Sequence, residues 1–257
     1  MSFDEFDDEH WDEFKWERHL DEVEKKSDQL RKFISTDQKG TVPRWITLLK
    51  ESLSEDDAFE AYIEEELLLD EAYFPEEDDD MAEDEDFDEE DFLFGNSEEL
   101  SEFYDDFDDD EDDFDDGEEW KSLSDDFALS DYGSIDNLAL FNQARDLAVD
   151  TLKWAETIPS SSQSTLFLEF VGDSLKIGAK LAGGYSFGFE PEYLGANIAY
   201  TKKALTFANQ SLGMLQALKT ESIFAKKQYT DFHSRLFELR NDIGIYLQEL
   251  RDMFYNR

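Results

Sequence analysis

The 257-residue sequence contains no cysteine, four prolines and three histidines. The absence of cysteine excludes disulfide bonds, thiol catalysis and thiolate metal sites, and it favours a reducing compartment. No apolar run approaches the roughly 18 residues of a membrane span, so no membrane-spanning helix is expected. The N-terminus lacks the basic and apolar regions of a signal peptide, and we therefore expect a cytoplasmic protein.

Basic residues are almost absent from the middle of the chain. Between Glu51 and Asp131 there are 41 acidic residues and one basic residue, Lys121, which gives a local net charge of −40 out of −45 for the whole protein. Nucleic acid and anionic membranes carry charge of the same sign and are not expected to bind this region directly. The partner we expect is a basic protein or a basic protein surface.

Residues 1–75 are predicted to contain three amphipathic helices. Pro43 is expected in the first turn of the second helix, and Ser54 is expected to cap the third. In the first helix, apolar residues at helical spacing form one stripe that would dock on the rest of the chain or pair with a second copy, which leaves a homo-oligomer open. We assign this stripe as a helix interface: Trp16, Leu20, Val23, Leu30 and Ile34.

Residues 76–133 form an acidic low-complexity segment in which single aromatic residues alternate with runs of Asp and Glu. Such a segment cannot bury enough apolar surface to offset the entropy lost on ordering, so it is predicted to be disordered in isolation. Its carboxylates would accelerate encounter with a basic surface, and its rings would add apolar burial on binding. The predicted partner-binding residues are Phe87, Phe92, Phe94, Phe103, Tyr104, Phe107, Phe114 and Trp120.

In composition, residues 76–120 resemble the acidic arms of histone chaperones and the DNA-mimicking inhibitors of nucleic-acid-binding proteins. The resemblance implies an arm that binds or shields a basic protein surface. It has no sequence motif behind it and assigns the chain to neither family. The alternative is a spacer that keeps a helical domain soluble.

Residues 134–257 are predicted to form an up-down-up-down four-helix bundle. Four apolar stripes at helical spacing follow one another with mostly short turns between them. The first helix is expected to stop at Pro159, the second to close at Gly183-Gly184, and the third to open at Pro191. The chain is therefore predicted to be all-α, with N-terminal amphipathic helices, a disordered acidic middle segment and a C-terminal bundle.

Catalytic and metal-binding motifs are nearly absent. The stretch Gly184–Gly188 matches the Gly-x-Ser-x-Gly pattern, but a nucleophile elbow needs a preceding strand and the flanks indicate helices. A calcium loop with Gly117 at its turn would place Phe114 and Leu123 where oxygen ligands are required. We therefore expect no enzyme activity, no metal site and no cofactor.

Two lysine pairs, Lys202-Lys203 and Lys226-Lys227, are candidate receivers of the chain's own acidic segment, although such pairs are commonly solvated. The sequence thus predicts a non-enzymatic protein-interaction module whose acidic–aromatic segment binds or shields a basic protein surface. The alternatives are a structural or assembly protein that acts through its amphipathic helices, with the acidic segment as a spacer, and a helical enzyme without a convincing motif.

Overall fold

The computed structural model describes residues 11–34, 42–71, 133–221 and 223–256. Within these ranges the chain is mostly helical and has no β-strand, so the all-α prediction is confirmed at this level. The acidic segment lies outside the described residues, apart from Gly133. The α-helices are α1 (Glu13–Ile34), α2 (Arg44–Glu51), α3 (Glu55–Glu71), α4 (Ala139–Thr157), α5 (Thr165–Phe187), α6 (Leu194–Leu218) and α7 (Lys226–Tyr255).

The N-terminal helices begin where the local sequence favours a helix start. Pro43 immediately precedes α2, where its fixed φ suits the helix and its missing N–H costs no hydrogen bond. Ser54 precedes α3, and its Oγ accepts a hydrogen bond from the N–H of Asp57 at 3.2 Å. Leu53 lies beyond the end of α2 and is fully exposed.

The four C-terminal helices pack on one another: α5 lies along α6, α6 lies along α7, and α4 contacts both α5 and α7. Their large apolar side chains are withdrawn from water, and each fully buried one contributes about 1.5–3 kcal/mol. The most buried of these side chains include Phe167, Phe170, Leu175, Leu215 and Leu236.

The N-terminal helices lie on this core. α3 contacts α4 and α5, and α1 contacts α3 and α6. Phe59 of α3 is fully buried against Gly178 of α5, where an added Cβ would lie 2.5 Å from Phe59 Cζ. Arg145 of α4 pairs with Asp56 and Glu60 of α3 at 2.9 and 3.3 Å. All described residues belong to one compact unit.

Helix α5 continues through Gly183-Gly184, where we expected it to close, and ends at Phe187. It stops at Gly188, whose φ of 84° lies in the left-handed region that favours glycine. Gly183 and Gly184 are buried against α6, and a Cβ on Gly183 would lie 2.7 Å from Tyr200 Cε1. The expected closure is therefore wrong, because these glycines allow close helix packing and do not terminate the helix.

Candidate functional site

The residues predicted to contact partners fall into two groups. The aromatic residues of the acidic segment, Phe87 to Trp120, lie outside the described residues. In the apolar stripe of α1, Trp16, Leu20 and Val23 are at most 9% exposed and are covered by the chain's own helices. Leu30 and Ile34 lie in α1, and their side chains are outside the described part of the chain.

A stripe of carboxylates runs beside the apolar stripe on α1. Glu13, Glu17, Asp21 and Glu24 recur at steps of four, four and three residues, a spacing that places side chains on one helix face. Glu17, Asp21 and Glu24 each come directly after a residue of the apolar stripe. We call these four residues the acidic lane.

The middle of the acidic lane meets two neighbouring lysines of α6. Lys202 pairs with Glu17, while Lys203 pairs with Asp21 and, at 2.8 Å, with Glu24. Burial on its own would lower the pKa of Lys203, but its hydrogen bonds to the two carboxylates outweigh burial and raise that pKa. Lys202-Lys203, one of the two pairs that we considered as receivers of the acidic segment, is therefore bound by α1.

Glu13, at the start of the acidic lane, is held by three groups and is only 3% exposed. Arg251 Nη2 donates to Glu13 Oε2 at 2.8 Å, and Lys202 Nζ lies 3.8 Å from the same oxygen. The Tyr255 hydroxyl donates to Glu13 Oε1 at 3.1 Å. Because its donors come from α6 and α7, Glu13 fixes α1 to both helices.

Aromatic rings accompany these ion pairs. The rings of Trp11 and Trp16 lie 5.0 Å apart, and Trp16 also lies 5.4 Å from Phe187 at the end of α5. Lys202 Nζ lies 5.1 Å from the centre of the Phe14 ring, within the range of a cation–π contact. The beginning of α1 is thus an acidic–aromatic stretch that binds cations through its carboxylates and places its rings on apolar or cationic groups.

Gly195 of α6 allows the closest approach of α1. An added Cβ would collide with the Trp11 carbonyl oxygen and would lie 3.1 Å from Trp16 Cδ1. Gly213, on the same helix, has no atom within 4 Å of an added Cβ. A large side chain at Gly195 would therefore displace α1, whereas the same side chain at Gly213 would not.

A second polar cluster is buried between α3, α5 and α6. Lys180 Nζ lies 2.6 Å from Asp70 Oδ2 and 3.8 Å from Glu66 Oε2. The Tyr200 hydroxyl donates to Asp70 Oδ2 at 3.2 Å. Lys180, Asp70 and Glu66 are at most 4% exposed. Burial raises the pKa of Asp70, although Lys180 opposes the effect. Burial and the adjacent Asp70 also raise the pKa of Tyr200.

The described chain stops and resumes beside the same stretch of α5. Asp70, one residue before the end of α3, binds Lys180, while the carbonyl of Gly133 accepts a hydrogen bond from the Tyr185 hydroxyl at 3.2 Å. Lys180 and Tyr185 are five residues apart on α5, or about 7.5 Å along its axis. Asp70 and Gly133, which flank residues 72–132 in the sequence, are therefore attached to neighbouring turns of one helix.

The Gly184–Gly188 stretch does not form a nucleophile elbow. Ser186 lies within α5, and its Oγ donates to the Gly183 carbonyl at 2.8 Å. The elbow requires a sharp turn from a strand into a helix, and helix precedes this serine throughout α5.

Comparison with protein-family models, curated proteins and solved structures gives no match. Among the described residues, no helix is both long and apolar enough to cross a membrane. The same residues contain no group of three or more side chains suited to holding a metal ion.

Proposed function

We propose that this chain is a non-enzymatic interaction protein that binds or shields a basic protein surface through its acidic–aromatic segment, residues 76–133. The helical remainder anchors that segment. The partner is a basic protein and not nucleic acid, because residues 51–131 carry a net charge of −40 and would repel a polyanion.

The docking of α1 is the observation that supports this proposal most strongly. The acidic lane binds three cations, Lys202, Lys203 and Arg251, and the rings at the start of α1 lie on apolar and cationic groups. Residues 76–133 repeat the same combination of carboxylate runs and single rings. The same chemistry is therefore available to a basic surface on another protein.

The cations of the chain are too few to neutralise its acidic residues. The protein has 23 basic residues against 68 acidic ones. A basic partner would replace the counterions that the segment otherwise attracts, and release of those ions favours binding, as it does for other polyanions. Several of the basic residues already bind carboxylates within the described helices: Arg44, Arg145, Lys180, Lys202, Lys203, Arg235 and Arg251.

The attachment to α5 also favours an interaction arm. Asp70 and Gly133, which flank residues 72–132 in the sequence, are held by neighbouring turns of α5. A linker between separate domains would not need its two ends to be fixed to a single helix. The same arrangement predicts that deleting residues 76–120 leaves the helices in place.

We take α4–α7 to be an up-down-up-down bundle, because helices adjacent in the chain pack on each other and α4 also packs on α7. We assign the protein to the cytoplasm, which agrees with the absence of cysteine from its sequence.

The proposal is tested by capturing partners from native lysate with three chains and eluting them in salt steps. The first is the full chain and the second lacks residues 76–120. The third is a matched control that keeps every charge and replaces the eight predicted partner-binding aromatics with serine. We expect basic proteins on the full chain, released at about 0.5 M salt, where the Debye length falls to a few ångströms.

The two variants separate the contributions of charge and of rings. The deletion variant should lose the basic proteins, and the serine variant should release them at lower salt because apolar burial is missing. Retention of the same basic proteins by the deletion variant would contradict the proposal.

A structural or assembly role through helix faces is the second candidate. Phe237 and Ile245 of α7 are 48% and 59% exposed, which provides apolar surface outside the core. Partners that remain on both the full chain and the deletion variant at high salt would favour this role.

A further inference from the structure

Residues 35–43 connect helix α1 to the other described helices. Its contacts lie on α3, on the end of α5 and on α6 and α7, so its departure would break no contact within α4–α7. The ten peptide steps from Ile34 to Arg44 extend to at most about 35 Å, which is close to the length of α1 itself. This connection lets α1 reach a site beyond its own.

The surface beneath α1 has the features needed to bind an acidic amphipathic helix. Three cations line its edge, a glycine allows the helix backbone to approach, and an aromatic ring contacts Trp16. These features recognise α1 by charge, by backbone fit and by apolar contact. We call this surface the α1 groove, and it comprises Phe187, Gly195, Lys202, Lys203, Arg251 and Tyr255.

We propose that α1 exchanges between two copies of the chain, the α1 of each copy occupying the α1 groove of the other. The same residues meet in the exchanged pair, so every ion pair and ring contact made within one chain is also available between chains. The tether gives α1 a high effective concentration at its own groove. Docking within one chain therefore dominates in dilute protein, and the exchanged dimer increases with concentration.

The dimer does not depend on the proposed function, although it would strengthen that function. It brings two acidic segments together, and two linked binding segments gain avidity for a partner that can contact both. Failure of the dimer would leave the salt-step capture result unchanged, so the two proposals are tested separately.

The test uses two full-length charge-reversal variants. The first changes the acidic lane, with Glu13→Lys, Glu17→Lys, Asp21→Lys and Glu24→Lys; the second changes the groove, with Lys202→Glu, Lys203→Glu and Arg251→Glu. In either variant alone, like charges face each other across the groove. In an equimolar mixture, each α1 meets a groove of opposite charge only on the other chain. Light scattering should give 30.0 kDa for each variant alone and twice that mass for the mixture.

Two glycine substitutions provide the matched control. Gly195→Leu, added to both variants, fills the point of closest approach and should return the mixture to 30.0 kDa. Gly213→Leu places the same side chain on the same helix where an added Cβ meets nothing, so the mixture should remain dimeric. A dimer that survives Gly195→Leu would show that another surface forms it, and would overturn the proposal.

A mixture that stays at 30.0 kDa while both variants keep their helix content would also overturn it. If the reversed variants lose helix content, the test uses chains whose acidic lane and groove charges are unchanged. The average mass of the wild-type chain and of the Gly213→Leu chain should then rise with concentration, while that of the Gly195→Leu chain should not. A wild-type chain that remains monomeric up to about 1 mM, the effective concentration of a short tether, would contradict exchange.

Discussion

Lys180 Nζ lies 2.6 Å from Asp70 Oδ2 although 110 residues separate the two in sequence. Lys180 belongs to α5 and Asp70 to α3, so the ion pair joins the N-terminal helices to the C-terminal ones. Both side chains are buried, so salt screens their attraction little. Desolvation makes such a pair a weak source of net stability, but the loss of one partner leaves a buried charge uncompensated.

Replacing Lys180 with methionine should therefore destabilise the protein strongly. Methionine keeps much of the side-chain volume but removes the cation that pairs with the buried carboxylate of Asp70. We expect the free energy of unfolding to fall by about 3–5 kcal/mol, the range for a broken buried pair. Chemical denaturation followed by circular dichroism at neutral pH measures the change.

The triple variant Lys180→Met, Asp70→Asn, Glu66→Gln serves as its control. Removing all three charges should recover more than half of the lost free energy, since no buried charge is left unpaired. A loss below about 1 kcal/mol in the single variant would be typical of an exposed pair and would contradict the role assigned to Lys180.

Gly178 and Gly244 should respond in opposite directions to alanine. At Gly178 the new Cβ would lie 2.5 Å from Phe59 Cζ, and overpacking of this kind costs about 1–3 kcal/mol. At Gly244 the new Cβ meets nothing within 4 Å, so the higher helix propensity of alanine should stabilise α7 by about 0.5–1 kcal/mol. Thermal unfolding of the two variants compares them directly. Equal stabilisation by both would contradict the contact between α3 and α5.

Asp173 of α5 should make stability depend on pH near neutrality. Burial raises its pKa to about 6; Lys176 opposes the shift, and Glu169 and Glu24 add to it. The native state therefore holds a proton that the unfolded chain releases at lower pH, so stability falls as pH rises from about 4 to about 7. Asp173→Asn should remove this loss.

The gain from Asp173→Asn should be near zero at about pH 4 and should reach a plateau above about pH 7. Because the side chain is only partly buried, we expect a plateau of about 1–2 kcal/mol after allowance for solvent screening. Denaturation of both chains across this pH range measures it. A gain of the same size at every pH would mean that the substitution acts through something other than the ionisation of Asp173.

Helical periodicity predicted most of the folded elements because each signal is local. Pro43 and Ser54 mark the starts of α2 and α3, and α4 ends at Thr157 just before Pro159. The prediction failed at Gly183-Gly184. Glycine can end a helix or allow two helices to pack closely, and the sequence does not distinguish these roles. These glycines face α6, and only the packed structure shows that Tyr200 occupies the space a Cβ would need.

The ionic contacts could not be predicted, because periodicity identifies a helix face but not its partner. Lys180 interrupts an apolar stretch, which is a signal of a buried charge, yet many carboxylates were available to pair with it. The acidic lane is visible in the sequence as Glu13, Glu17, Asp21 and Glu24 at helical spacing. Its partners Lys202 and Lys203 lie about 180 residues away, with separations of 185 for Glu17 and 182 for Asp21, and no local pattern connects them.

The role of the acidic segment is tested most directly by the salt dependence of binding to a fluorescent lysine-rich peptide. Anisotropy titrations of the full chain and of the chain lacking residues 76–120 should run from about 0.05 to about 0.5 M salt. We predict a steep linear fall of log affinity with log salt for the full chain. At low salt the deletion chain should bind at least about tenfold more weakly, or about 1.4 kcal/mol, with a flatter slope. Equal affinities and equal slopes for the two chains would contradict the proposed role of the segment.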